Sequence, residues 1–267
     1  MPERLRMTRT DRLAAILDLL AESGEIEIED IVEKLGVSPA TARRDLDSLA
    51  KQQLLTRTHG GATTGSVAYD LPGRYNRDDN AEAKQRIALA ASALVTPGSV
   101  IGLSGGTTTT ALAQALATRP DLSVRSDRPM LTVVTNAINI AARLAVRPNI
   151  KVMVTGGILS PRSYELVGPY TELLMDRIAL DMAFIGVNGI DPVLGPTISD
   201  EGEAAITILM ARRAAGSYVL ADSSKVGKRA FATMAGYTFA RLLTDAGISA
   251  KDKAAFEATG TKVSVAS

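Results

Sequence analysis

The sequence contains no cysteine and a single histidine, His59. Disulfides, thiol catalysis and iron–sulfur ligation are therefore excluded, and the usual Cys/His zinc sites are removed. Serine–histidine catalysis would have to run through His59 alone. An excess of one charge is also missing. Thirty Lys and Arg against 29 Asp and Glu leave a formal net charge of +1, so any nucleic-acid surface must be local. Long apolar runs are lacking too. The stretch after Val95 comes closest to a bilayer span, but Pro97, Gly98, Ser99, Gly102 and Ser104 interrupt it. The opening Met-Pro-Glu-Arg-Leu-Arg-Met has no apolar core of the kind a signal peptide needs. A soluble, cytoplasmic protein is expected, with no metal and no cofactor. What is present is a chain of 267 residues, 46% of them apolar. At roughly 150 residues per domain this length suggests about two domains, and it can bury a core without a disulfide or metal.

Residues 10–61 read as a compact helical unit with a short sheet. Leu13, Ile16, Leu17 and Leu20 keep the i, i+3, i+4, i+7 spacing of an amphipathic helix, and Ser23-Gly24 stops it. Glu25-Ile26-Glu27-Ile28 alternates like a strand. A second helix carries Ile31, Val32 and Leu35 and ends at Gly36. A third opens at Ser38-Pro39, with Ser as N-cap and Pro at the first helical position, and runs to about Gln52. Leu54-Leu55-Thr56-Arg57-Thr58 is then a strand leading into Gly60-Gly61.

At 100° per residue, Ala42, Leu46 and Leu49 fall on one face of the third helix. Ala40, Thr41, Arg43, Arg44, Asp47, Ser48 and Lys51 occupy the rest. A helix that reads the major groove needs such a face, because its N-terminal residues meet the base edges. Arg43 and Arg44 can each fork onto guanine or clamp a phosphate. Ser38 and the N–H groups of the first turn suit a phosphate oxygen. Arg57, His59 and Gly60 sit at a hairpin bend that would form a wing. Residues 1–61 hold nine Lys and Arg against eleven Asp and Glu, whereas residues 38–61 run four to two. The basic part is thus the helix and wing, and nonspecific affinity should be modest and salt-sensitive. The alternative is a winged helix used for protein contacts.

Residues 62–80 are polar and turn-rich and read as a linker. From Ala81 short apolar runs alternate with helical patterns, which argues a Rossmann-like parallel α/β sheet. Strands are expected at Val100–Leu103, Leu131–Val134, Lys151–Val154, Met182–Ile185, Tyr218–Ala221, Arg241–Leu243 and Lys262–Val265. Helices are expected near 81–94, 107–117, 137–146, 170–178, 201–214 and 250–258. Segment 119–130 reads as a polar loop. The expected domains are 1–61, winged helix-turn-helix, and 81–267, α/β.

Ser104-Gly105-Gly106-Thr107-Thr108 joins a strand to a helix. Free N–H groups and hydroxyls at a positive helix end suit a phosphate. No Lys follows the glycines, so this is not a nucleotide P-loop. A Gly/Thr-rich turn made for packing is the other reading. Thr135-Asn136, Thr155-Gly156-Gly157, Gly186-Val187-Asn188-Gly189 and Asp222-Ser223-Ser224-Lys225 follow four further strands. Each could be a helix cap, but five polar groups at equivalent strand ends favour a pocket.

The run Val37-Ser38-Pro39-Ala40-Thr41-Ala42-Arg43-Arg44-Asp45-Leu46-Asp47-Ser48-Leu49, followed by Arg57-Thr58-His59-Gly60-Gly61-Ala62, resembles the DeoR family of bacterial transcriptional regulators. Ala42 stands where that family often has a β-branched residue. The resemblance implies that helix 38–52 is the recognition helix. Asp45 turns toward the seam side and reads as structural, pairing with an arginine. The second half resembles the same family's sensor domain, which is similar to ribose-5-phosphate isomerase. Carried over, Ser104 to Thr108 would hold an effector phosphate, Thr135, Asn136 and Gly157 would line the sugar side, and Lys225 would reach an anionic or hydroxyl group. Asn188 would join them from its loop. Asp200, Glu201 and Glu203 lie in a stretch where family members vary. They either select the sugar or, with Asp200 as cap, begin a helix.

The isomerase needs a carboxylate base. Its acidic loop corresponds to Gly186–Asp191, where only Asp191 is acidic, though Glu201 or Glu203 could serve. No catalytic residue is therefore expected. The expected function is a repressor that binds double-stranded operator DNA as a homo-oligomer, dimer or tetramer, and is relieved by a phosphorylated sugar. An isomerase with an accessory domain and an interaction scaffold are the alternatives.

Overall fold

A computed structural model describes residues 7–51, 55–58, 60–64, 80–124, 126–234, 237 and 239–266. The chain divides into two compact units, Met1–Asp70 and Leu71–Ser267.

In the first unit α1 (Arg9–Ser23) is capped by the Thr8 hydroxyl, which accepts from the Asp11 N–H. It ends at Gly24, whose left-handed φ of 79° closes the helix without a Cβ clash. β1 (Glu25–Glu27) follows, and α2 (Ile28–Leu35) begins where the strand pattern was expected to continue, because Glu27 and Asp30 form a capping box there. α3 (Pro39–Lys51) is the expected third helix. β2 (Leu55–Arg57) and β3 (Gly61–Thr64) pair antiparallel, and β3 also pairs with β1, giving the order β1-β3-β2. The unit therefore extends past residue 61 at least to Thr64. Residues 65–79, most of the expected linker, lie outside the described residues.

Ala42, Leu46 and Leu49 of α3 are buried against Ile16, Leu20, Ile31 and Leu55. Asp45 is buried on the same side and accepts from Arg12 through two bonds, Nε–Oδ2 at 2.5 Å and Nη2–Oδ1 at 3.1 Å. This carboxylate raises the Arg12 pKa through its hydrogen bond. The pair fixes the rotation of α3 on α1. Asp45→Ala leaves Arg12 without it, and urea unfolding should report a loss of about 2 kcal/mol, below the fully buried range because the guanidinium is partly wet. An unchanged midpoint would refute this anchoring role.

In the second unit, the chain runs α4 (Ala81–Ala93), β4 (Val100–Leu103), α5 (Thr107–Ala117), β5 (Leu131–Thr135), α6 (Ile138–Ala145), β6 (Ile150–Val154) and the hairpin β7 (Ile158–Leu159), β8 (Leu166–Val167). It continues through α7 (Pro169–Met175), β9 (Leu180–Gly186), β10 (Gly189–Asp191), β11 (Gly195–Ile198), α8 (Glu201–Arg212), β12 (Ala214–Leu220), β13 (Ala232–Thr233), β14 (Arg241–Asp245), α9 (Ala250–Ala258) and β15 (Lys262–Ala266). The seven expected strands form one parallel sheet in the order β15-β14-β12-β9-β4-β5-β6. The small antiparallel sheet β10-β11-β13 and the β7-β8 hairpin were not expected.

Alternation along the strands covers both faces of the large sheet. Ile101, Leu103, Val133 and Phe184 pack with Ile87, Leu112, Leu116 and Ile140 of α4, α5 and α6. Val134 and Ala183 point the other way, onto Met175 and Met210 of α7 and α8. The connections leave β4 toward β5 on one side, while β9 lies on its other side. The strand order reverses between β4 and β9, and the loops leaving their carboxyl ends diverge to open a crevice.

Candidate nucleic-acid interface and ligand cavity

On α3 the Arg43 and Arg44 side chains are exposed, opposite the buried Ala42 and Leu46. The Arg44 Nε donates to the Ala40 carbonyl at 3.2 Å, which lays the stem along the helix toward its N-terminus. Ser38 is the cap expected: its hydroxyl accepts from the Thr41 N–H at 3.2 Å and lies 2.9 Å from the Thr41 hydroxyl. Ala40 is exposed and Thr41 half-buried.

Other members of the expected set are engaged within the unit. The Ser48 hydroxyl accepts from Arg9 Nη2 at 2.9 Å. Arg57 pairs with Asp47 at 3.0 Å and donates to the Gly61 carbonyl at 2.6 Å, so it braces the wing against α3. Gly60 is exposed. Gly61 is required by close approach, since a Cβ there would lie 2.0 Å from the Ile26 carbonyl oxygen. His59 and the Lys51 side chain lie outside the described residues. Among the described residues, the exposed cationic face of α3 is thus the Arg43–Arg44 pair.

At the crevice between β4 and β9 lies a cavity of about 460 Å³. Of the expected effector residues it brings together Ser104, Gly105, Gly106, Thr107, Thr108, Asn188, Glu203 and Lys225. Ser104 is held from the next strand, its hydroxyl accepting from the Gly186 N–H at 3.0 Å. Gly106, with φ of 126°, turns the chain into α5. The Thr109 and Thr110 hydroxyls bond the Gly106 carbonyl, so the turn is rigid. Thr108 is buried, and its hydroxyl has no hydrogen-bond partner among the described residues. Thr108 lines the cavity at the N-terminus of α5, where the first-turn N–H groups suit a ligand oxygen.

Lys225 donates to the Val187 carbonyl at 2.6 Å. The turn that delivers it is fixed twice. Asp222 caps it by accepting from the Ser224 N–H at 3.1 Å. Asp245 accepts from the Ser223 N–H at 2.6 Å, the Ser223 hydroxyl at 3.1 Å and the Gly247 N–H at 2.9 Å. Burial pushes the Asp245 pKa up, but these donors outweigh it and hold the carboxyl below its ordinary value.

Four expected residues do not line the cavity. The Thr135 hydroxyl donates to the Leu103 carbonyl at 2.7 Å, tying β5 to β4. Asn136 is buried behind the cavity and donates to Glu165 at 3.1 Å. Gly157 packs under α7, where a Cβ would meet the Thr171 hydroxyl at 2.3 Å. Asp200 accepts from the Glu203 N–H at 3.0 Å, so it is the helix cap, while Glu203 lines the cavity. Asp191, the acid of the isomerase-like loop, accepts from the Leu194 and Val193 N–H groups and pairs with Arg229. These contacts, the Leu194 N–H foremost, hold it below its ordinary pKa.

The cavity also contains residues that sequence reasoning missed. Lys84 sits on the buried face of α4 with Ile87, Ala88 and Ala91. A cation on an apolar stripe was its signal. Glu165 is buried beside Gly105 and precedes β8 in a stretch with no strand pattern, so nothing marked it. Asn80 and Lys228 complete the rim. Three lysines, 84, 225 and 228, thus share the cavity with the carboxylates of Glu165, Glu203 and Asp222.

Two family models match the chain: a DeoR-like helix-turn-helix domain over residues 12–66 and a DeoR C terminal sensor domain over residues 79–246. The HTH-type transcriptional regulator GlpR of Haloferax volcanii is 34% identical over 259 residues, 96% of this chain and 98% of that relative. The glycerol-3-phosphate regulon repressor of Escherichia coli is 31% identical over 228 residues, 85% and 87% of the two chains. Among solved structures, ribose 5-phosphate isomerase A from Methanocaldococcus jannaschii aligns over 55% of each chain at 19% identity, with a TM-score of 0.41. Among the described residues, no helix is long and apolar enough to cross a membrane.

Proposed function

The chain belongs to the DeoR family of transcriptional regulators, and on that premise we propose that it represses a carbohydrate-metabolism operon and is released from DNA by a phosphorylated sugar. One observation carries the reading. The chain that presents the exposed Arg43–Arg44 pair on α3 also holds a cavity with a helix N-terminus, lysines and carboxylates in one place. The helix end and lysines suit a phosphate, and the carboxylates suit sugar hydroxyls.

Arg43 and Arg44 enter the major groove, and Ser38 sets the helix that carries them. The protein acts in the cytoplasm as a dimer or tetramer, so that two α3 helices meet paired half-sites. The effector works by binding conformers of low DNA affinity more tightly, with a coupling of about 1–3 kcal/mol. No step here calls for catalysis, a metal or a cofactor.

The test is fluorescence anisotropy of the chain's own upstream DNA against a scrambled duplex at fixed salt, with and without pooled phosphosugars. Specific binding that the pool weakens is expected. No preference over the scrambled duplex, and none in a genomic fragment selection, would end the repressor reading.

A further inference from the structure

The outer face of α3 is bordered on each side by an arginine from another element. Arg43 and Asp47, four residues apart, share one side, and Arg44 and Ser48 share the other. Arg57 of β2 pairs with Asp47 at 3.0 Å and spends a second donor on the Gly61 carbonyl at 2.6 Å. Arg9 of α1 reaches Ser48 across 39 positions of sequence, its Nη2 donating to the hydroxyl at 2.9 Å. The two arginines differ in what they have left to offer. Arg57 meets a carboxylate, and its side chain is 29% exposed. The Arg9 side chain is 66% exposed, and the hydroxyl it holds is neutral.

The carboxylate that Arg9 approaches is already taken. Asp45 Oδ1 lies 4.0 Å from Arg9 Nε, but Asp45 accepts two bonds from Arg12, whose side chain is only 15% exposed. Asp11, in the same turn of α1, is bound by the Thr8 hydroxyl at 2.6 Å, and residues two positions apart on a helix do not face each other. Arg9 is also the first residue of α1, the end at which the helix dipole disfavours a cation. The fold thus holds a guanidinium beside the outer face of α3, against the local electrostatics, with N–H donors open to an anion from outside.

We propose that Arg9 clamps a phosphate of the DNA backbone beside the groove that α3 enters, so that the interface with DNA includes the start of α1. The inference rests on the DNA-binding reading above and adds to it a contact that carries no base information. Base edges line the floor of the groove and phosphates run along its rims. A helix laid in the groove turns its outer face to the floor, and the elements that flank this face meet the rims. Arg9 stands on the Arg44 side of α3, held there by Ser48. That bond orders a long side chain before DNA arrives, so less freedom is lost on binding. The planar fork then fits two oxygens of one phosphate.

The experiment is fluorescence anisotropy of the full chain, natural, Arg9→Gln and Arg9→Lys, with its own upstream duplex and with a scrambled duplex, from about 50 to 200 mM salt. Urea unfolding of each variant runs alongside. Arg9→Gln should weaken binding to both duplexes by the same factor, about three- to tenfold, and reduce the slope of log affinity against log salt by about one for each copy of the chain bound. Arg9→Lys keeps the charge and should keep the slope. A mere strut between α1 and α3 predicts the reverse, a lower urea midpoint in both variants with the slope unchanged, and that result overturns the proposal. So does a loss confined to the upstream duplex, which would make Arg9 a reader of bases. The Arg43 and Arg44 double alanine variant separates this contact from the reading beneath it. If the natural chain binds neither duplex, the DNA-binding reading fails and takes Arg9 with it. If the double variant loses affinity while Arg9→Gln keeps the natural slope, the Arg9 contact alone is refuted.

Discussion

Replacing Arg43 and Arg44 together by alanine should weaken operator binding by about 30-fold to 20,000-fold at fixed salt, at about 1–3 kcal/mol for each guanidinium fork removed from the DNA. The magnitude follows from their place on α3. Both side chains project from the face opposite the buried Ala42, Leu46 and Leu49, so neither supports the core. The unfolding midpoint should accordingly stay where it is. The single variants separate the roles. An arginine that reads a base edge should, once replaced, relax specificity at one operator position. One that clamps a phosphate should, once replaced, weaken all sequences alike and reduce the salt slope by about one. Operator affinity that survives the double substitution would remove α3 from the interface.

Thr107→Glu should abolish the effector response while leaving effector-free DNA binding intact. Thr107 is the first residue of α5 and lines the cavity next to Gly106. A carboxylate there is welcome to the helix, whose N-terminus favours negative charge. It is unwelcome to a phosphate entering the same turn, because like charges held together cost several kcal/mol. The effector concentration needed for half-release should rise by about 100-fold or more, the equivalent of about 2.7 kcal/mol. Anisotropy titrations of the operator complex would measure it. A response at the original concentration would place the phosphate elsewhere.

These two sites differ in how visible they were beforehand. The proposed recognition helix is a local object. Its cap, its proline, its apolar spacing and its two arginines lie within one stretch from Ser38 to Leu49, and helical periodicity alone sorts them into an inner and an outer face. Even so, Ser48 and Arg57 looked equally available from the sequence. Arg9, Asp47 and Gly61 engage them through contacts that periodicity does not describe. The cavity is a non-local object. The turn from Ser104 to Thr108 could be picked out because a strand, glycines and a helix follow one another. Thr135, Asn136 and Gly157 obey the same rule, yet they lie behind or beside the cavity and tie strands and helices together.

The sequence by itself determined the two-part organisation, the seven strands of the parallel sheet and the helices between them. Those features arise from hydrophobic spacing and caps, which act over a few residues. It also determined which strand-to-helix turn could offer N–H groups to an anion. Only the tertiary structure decided what faces that turn. The order β9-β4-β5 sets the crevice at one place along the sheet. The β7-β8 hairpin, with its left-handed residue at Tyr164, then carries Glu165 across the chain to Gly105, 60 positions away in sequence. Lys84 arrives from α4 and Glu203 from α8. No local pattern encodes such a meeting. It depends on which faces of distant elements pack together, and burial of their apolar sides settles that once the whole sheet is assembled.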